Sequence, residues 1–210
     1  MNPRWSKIIV LLEIGLVYLL IQLYVWRWQF THSGLAWPLF LLLLATHLAH
    51  RDTMAGLGFR LDNLVPALKL SGLTSLPFFM LLVPFGLFGA ASAPREVHWS
   101  FSFSGLHYFL WAIFQQYGLQ GYFHNRLRLV IQAPALSSAV SAVIFMSLHL
   151  PNPVLMAFTL VGGFALSLVY TKQPNIFALG IFHGLIGLLL ANSFPRELLH
   201  NMRVGPGYFR

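Results

Sequence analysis

Polar side chains recur at helical spacing inside otherwise apolar stretches of this chain. Gln116, Gln120 and His124 are four residues apart, with Gln115 on the shoulder of the series. Ser141, Phe145 and His149 repeat that spacing, as do Asn175, Leu179, His183 and Gly187. Residues four apart share one face of a helix, so each series reads as a stripe. The chemistry these groups offer is limited and specific. An imidazole takes up or gives away a proton near neutral pH and can act as general base or acid. A carboxamide donates and accepts hydrogen bonds but has no proton-accepting carboxylate. Together they could grip an extended peptide backbone, position a water or polarise a carbonyl. The plainer role for Gln115, Gln116 and Gln120 is to tie helices together, at ~0.6 to 2 kcal/mol per amide. His183, deep in an apolar run, is the hardest to explain that way. His149 and His124 fall near helix ends, and His124 reads as an interfacial residue at the cytoplasmic end. His47, His50, His98 and His107 are expected at the membrane interface. Glu13 is the one acid within a predicted span. It reads either as a polar contact between helices or as a replacement for the carboxylate that the stripes lack.

The elements that must position these groups are membrane helices. Of 210 residues, 57% are hydrophobic and 9% charged; a soluble domain carries roughly 25% charged residues. The expected fold is therefore all-α, a polytopic transmembrane bundle. About seven spans fit the length. The runs cover Trp5 to Trp26, Gly34 to Ala49, Gly72 to Ala90, Gly105 to Phe123, Pro134 to Leu150, Asn152 to Tyr170 and Asn175 to Ser193. The first run is read as a retained anchor, since it is too long for a signal peptide and no small-residue cleavage pattern follows. The stretch from Arg51 to Gly72 and the one from His124 to Pro134 are expected along the membrane surface. "LPNP" (Leu150 to Pro153) should break the chain between two helices. At ~1.5 Å per residue, Gln116 and His183 come to similar depths, roughly 16 and 18 Å, with His149 shallower at ~8 Å.

With the N-terminus inside, inner connections hold Arg4, Lys7, Arg51, Arg60, Lys69, Arg126, Arg128 and Lys172, and outer loops hold Arg27 and Arg95. This bias predicts a cytoplasmic N-terminus, and the expected location is a bacterial plasma membrane. Arg196, Arg203 and Arg210 in the tail oppose it unless an eighth membrane element exists. The net charge of +8 is scattered singly, without the basic patch that nucleic-acid binding needs, so lipid headgroups account for it. The absence of cysteine excludes disulfides, thiolate metal sites and thiol nucleophiles. No cofactor and no metal site is expected, because a catalytic zinc takes three protein ligands and only His149 and His183 are well placed.

In order and spacing these stripes resemble the CPBP intramembrane proteases, the family of the CAAX-processing endopeptidases and the bacterial Abi-type proteins. Its signature is EExxxR, then FxxxH, then HxxxN or a close variant. Here "QQYGLQGY" (Gln115 to Tyr122) stands where the family has EExxxRGY, "FMSLH" supplies Phe145 and His149, and "HGLIG" supplies His183. The resemblance covers about Gly105 to Asn192. In that family the first carboxylate activates the attacking water, the histidines assist and bind the oxyanion, and the asparagine supports that anion. This chain departs from the pattern: both glutamates are glutamine, the arginine is Gln120, and the asparagine is Gly187. Losing the arginine together with the carboxylates is physically coherent, since an unpaired buried cation is expensive.

The resemblance implies a site with His149, His183, Gln115 and Gln116 at the chemistry and Gln120, Phe145 and Gly187 at the substrate. One expectation is an intramembrane peptidase that cuts near the C-terminus of a membrane-bound peptide or protein, with His149 or His183 as the base. The other is a non-catalytic relative that holds a peptide or lipid tail as chaperone, adaptor or immunity factor. A transporter or channel fits less well, for the spans carry few charges and no inverted repeat. The chain divides into N-terminal helices and interfacial segments (1–104), core helices (105–193) and an interfacial tail (194–210), all within one structural domain.

Overall fold

A computed structural model describes residues 6–89 and 103–210, all in helices and turns with no strand among them. Arg4, Arg95 and His98 lie outside the described residues, as do Trp5 and Ala90 at the ends of two expected runs. The helices are α1 (Lys7–Leu23), α2 (Ala36–His50), α3 (Leu64–Gly89), α4 (Phe103–Gln116), α5 (Asn125–Val130), α6 (Pro134–Ser147), α7 (Pro153–Lys172), α8 (Ile176–Ser193) and the short α9 (Arg196–Leu199). Among the described residues, five segments are long and apolar enough to cross a bilayer: Lys7–Trp28, Ser33–His50, Leu64–Gly86, Pro153–Lys172 and Ile176–Ser193. Their outward faces are apolar. Ile8, Leu12, Leu16 and Leu19 on α1 and Leu73 and Met80 on α3 are exposed, which hydrocarbon tolerates and water does not.

The remaining two apolar runs fold differently from simple spans. π-helical turns from Tyr117 to His124 carry α4 without interruption into α5. The stretch expected on the surface from His124 onward is therefore a continuation of the helix, and Arg126 within it is buried. α6 has only 14 residues, ~21 Å against a hydrocarbon core of ~30 Å. It ends early, and His149 sits in the turn between α6 and α7. The expected break at "LPNP" is present: Pro153 opens α7, and Asn152 caps it by accepting from the Leu155 N–H at 3.2 Å.

The segment from Arg51 to Gly72 departs from a purely interfacial path. α3 begins at Leu64, with Pro66 in its first turn, where a missing N–H costs nothing. Residues 51–63 fold into turns that pack against α7 and the start of α8. Leu57 is buried, the Gly58 carbonyl accepts from Ile176 N at 2.9 Å, and Asn175 donates to the Arg60 carbonyl at 2.8 Å. Gly58 has φ +88°, and a Cβ there would lie 2.9 Å from the Tyr170 ring, so only glycine fits.

α8 is central, packed between α3 and α4 and touching α7. Its approach to α4 depends on a ridge of Gly180, Gly184 and Gly187. A Cβ at Gly180 would stand 2.8 Å from Ile113 Cα, one at Gly184 would stand 2.5 Å from Phe109 Cδ1, and one at Gly187 would stand 1.9 Å from the Tyr108 hydroxyl. Small residues at such spacing let membrane helices pack backbone to backbone. The tail does not supply an eighth span. It folds as α9 and 3-10 turns beside the C-terminal end of α1, where Gly205 N donates to the Leu150 carbonyl at 2.7 Å, Gln29 donates to the Val204 carbonyl at 3.2 Å, and Arg210 stacks on Phe30.

The ridge makes Gly184→Leu a sharp test of this packing. Overpacking of a close interface costs about 1–3 kcal/mol, so the variant should lower the melting temperature of the detergent-solubilised protein, whereas Gly15→Ala, with nothing near its side-chain position, should leave it unchanged.

Candidate functional site

The three members of the α4 stripe aim at different neighbours. The π-helical turns account for this, because i→i+5 winding rotates residues four apart by a different amount than an α-helix does. Gln116 reaches α8, its Nε2 lying 3.0 Å from His183 Nδ1. Gln120 reaches α7, donating to Ser167 Oγ at 3.0 Å and back to Gln116 Oε1 at 3.3 Å. His124 bridges α6 and α7, between Ser141 Oγ at 3.0 Å and Thr171 Oγ1 at 3.1 Å. Gln116 and Gln120 have no exposed surface, and His124 is buried. The interfacial position expected for His124 is thus replaced by a structural one, because α5 extends the bundle beyond it.

A cavity of about 410 Å³ opens between α1 and α2 on one side and α4, α6, α7 and α8 on the other. Gln115, Gln116, Phe145, His149, His183 and Gly187 line it, with walls of Val17, Leu39, Leu43, Phe158 and Leu166. Gln120 stands behind Gln116 and does not line it. Phe145 presents its ring to both histidines, 4.7 Å from the His149 ring and 5.7 Å from that of His183, each edge to face. α1 is fastened to the C-terminal end of α6 by Tyr18, which donates to Ser147 Oγ at 3.0 Å, and by Gln22, which donates to the Ser147 carbonyl at 3.0 Å.

Hydrogen bonding gives the two imidazoles opposite faces. His149 Nδ1 lies 2.7 Å from the Phe145 carbonyl oxygen, which can only accept, so Nδ1 carries the proton and Nε2 keeps a lone pair. The amide orientation of Gln120 and Gln116 turns the Gln116 NH2 toward His183 Nδ1. His183 Nδ1 then accepts, and its proton resides on Nε2. The site thus pairs one imidazole nitrogen able to take a proton with another able to donate a hydrogen bond. Among the described residues no group of three His, Cys, Asp or Glu side chains could hold a metal ion. The donor set of this cavity, two imidazoles among amides and aromatic rings, does not fit a catalytic zinc site.

Glu13 is elsewhere. Its Oε1 accepts from Arg126 Nε at 3.0 Å, its Oε2 lies 2.7 Å from His50 Nε2, and it does not line the cavity. Arg126 also pairs with Asp52 Oδ2 at 2.8 Å, and that oxygen is 2.7 Å from His47 Nδ1. Glu13 therefore neutralises Arg126 and has no lone pair turned to the site. His47, expected at the interface, is buried in this cluster, while His107 is exposed. Sequence reasoning missed Ser167, Tyr108 and the ion cluster. The glycine ridge was readable as spacing, whereas pairing Arg126 with acids 74 and 113 residues away required the fold.

The fold and site define a class: a helical membrane protein whose amide and imidazole side chains converge on a cavity open to lipid-facing helices. Residues 97–189 match the family described as type II CAAX prenyl endopeptidase Rce1-like, the same stretch that carries the motif resemblance. No curated protein matches the chain, and no solved structure does.

Two outcomes test the ion cluster. Burial pushes the Asp52 carboxyl up, but hydrogen bonds from His47 and Arg126 and their charges outweigh it and hold the pKa below its ordinary value. A lowered folded-state pKa contributes stability that is present above the unfolded pKa and lost as pH falls through the folded one. The melting temperature should therefore drop on acidification below about pH 4, and Asp52→Asn should flatten that drop. Arg126→Met should cost about 3–5 kcal/mol at neutral pH by stranding buried acid charge, read as a lowered melting temperature.

Proposed function

We propose that this CAAX-endopeptidase-like membrane protein hydrolyses a peptide bond near the C-terminus of a membrane-anchored substrate, with imidazole in place of carboxylate as the base. The observation that carries this reading is the Ser167–Gln120–Gln116–His183 chain, which hands His183 its tautomer inside the same cavity as His149. The apolar walls suit a lipid-embedded segment, and Gln115 and Gln116 offer amides for its backbone.

In this mechanism a water attacks the scissile carbonyl carbon while His149 Nε2 accepts its proton. The developing oxyanion takes a hydrogen bond from His183 Nε2–H. The tetrahedral intermediate then collapses, the C–N bond breaks, and His149 returns its proton to the leaving amine. The products are a carboxylic acid and an amine, with no co-reactant beyond water. The charge bias supports a cytoplasmic N-terminus, and in that orientation the His149 end of the cavity faces the outer side of a bacterial plasma membrane, which suits exported substrates.

A second reading has the same cavity bind a peptide or lipid tail without cutting it, as a chaperone, adaptor or immunity factor. The neutral amides at Gln115 and Gln116 favour it, since they hold a backbone but accept no proton.

Purified protein with a labelled membrane peptide separates the two. If the first reading holds, the parent cleaves, and His183→Ala lowers turnover by about 100-fold or more; unchanged turnover in that variant removes the mechanism. If the second holds, the parent binds without cleaving, and Gln115→Glu with Gln116→Glu gains hydrolysis by restoring a base to an intact scaffold.

A further inference from the structure

Gly187 stands one turn after His183 on the same face of α8, ~6 Å along the axis, and it lines the cavity without a side chain of its own. Its place is taken from across the helix interface. The Tyr108 hydroxyl oxygen would lie 1.9 Å from a Cβ at Gly187, and the ring carbon that bears it would lie 2.9 Å away. Tyrosine and glycine therefore interlock: any larger residue at 187 would expel the hydroxyl from where it stands. Tyr108 itself lines the cavity with Gln115, Gln116, His149 and His183.

The hydroxyl makes no hydrogen bond among the described residues. The other hydroxyls on the cavity wall differ: Tyr24 donates to the Ser33 carbonyl at 3.3 Å and Thr159 to the Leu155 carbonyl at 2.7 Å. In a lipid-embedded site an unmet donor is costly, and one held open by a glycine calls for a partner that enters from the cavity. We infer that the Tyr108 hydroxyl donates a hydrogen bond to a backbone carbonyl oxygen of the bound peptide, at the position on α8 that Gly187 leaves clear. This rests on the reading of the cavity as a peptide site, in its cleaving or its binding form. A phenol suits that task, for it is a neutral donor in a cavity lined by no carboxylate and no cation, and its rigid ring, packed on glycine, fixes the direction of the bond. The carbonyl of a lipid ester offers the same acceptor, so the test separates the two sources.

The full chain in nanodiscs is titrated with two fluorescent probes, a tetrapeptide carrying an S-alkyl cysteine and the same S-alkyl cysteine with no peptide, against the parent and Tyr108→Phe. The variant keeps the ring and loses only an unpartnered hydroxyl, so its melting temperature should match the parent. The expected result is a roughly three- to tenfold weaker Kd for the peptide probe and an unchanged Kd for the alkyl probe. Gly187→Ala, which displaces the hydroxyl, should show the same selective loss. Equal affinity of parent and Tyr108→Phe for the peptide probe would overturn the inference while leaving the peptide site standing. Equal weakening for both probes would also overturn it, by showing that Tyr108 serves packing or a lipid. Failure of the parent to bind the peptide probe at all would remove the peptide site and this inference together.

Discussion

The structure depends on the close approach of α4 to α8 along a ridge of glycines. Membrane helices gain little from burying one apolar surface against another, because lipid is equally apolar. What holds them is contact at short range and the pairing of polar groups that hydrocarbon leaves unsatisfied. At Gly180 and Gly184 the α4 side chains pass over bare backbone. That proximity brings Gln116 to 3.0 Å from His183. A bulkier ridge would separate the helices, leave both groups unpaired in an apolar core, and lose the site together with the packing.

The same pairing rule sets the protonation pattern of the site. A backbone carbonyl can only accept, so the Phe145 carbonyl fixes the His149 proton on Nδ1. A glutamine amide can do either, and its choice is set one residue further back, by the hydrogen bonds that Gln120 makes to Ser167 and Gln116. Ser167, buried on α7, thereby influences the proton of an imidazole on α8 without contacting it. Gln120 commits its amide nitrogen to both neighbours and leaves its own Oε1 buried without a partner, so one end of the chain stays unpaired at a cost that hydrocarbon makes large.

Much of this was legible in the sequence, and the limits of legibility have a physical cause. The polar stripes and the break at "LPNP" follow from spacing and proline chemistry, whereas α6 ends at Ser147, short of the Leu150 expected from its apolar run. The family resemblance followed from order and spacing of motifs. The stripe on α4 was read with α-helical periodicity, but the chain winds as a π-helix from Tyr117 to His124. Nothing in local composition announces that winding, and it is what sends Gln120 to α7 and His124 to the seam of α6 and α7. Glu13 was the one acid available to replace the missing carboxylate as long as its neighbours were unknown. The cation it pairs with belongs to a helical extension expected as a surface segment, so the path of α5 and the role of Glu13 as a polar contact between helices became legible together.

The separation of the two polar clusters explains why the cavity can be neutral. The charged set of Glu13, Asp52 and Arg126, with His47 and His50, sits apart from the cavity lining, where α1, α2, α5 and the turns after α2 meet. Its opposite charges satisfy one another, as a buried ion must be satisfied. In the cavity, replacing an arginine alone would have stranded two acids, and replacing the acids alone would have stranded the arginine. The glutamines at 115, 116 and 120 remove both signs together and keep the hydrogen-bonding shape. What they cannot keep is a proton acceptor. Among the groups that line the cavity, His149 has one nitrogen pinned to the Phe145 carbonyl and the other left with a lone pair, so a lining without a carboxylate still holds one nitrogen able to take a proton.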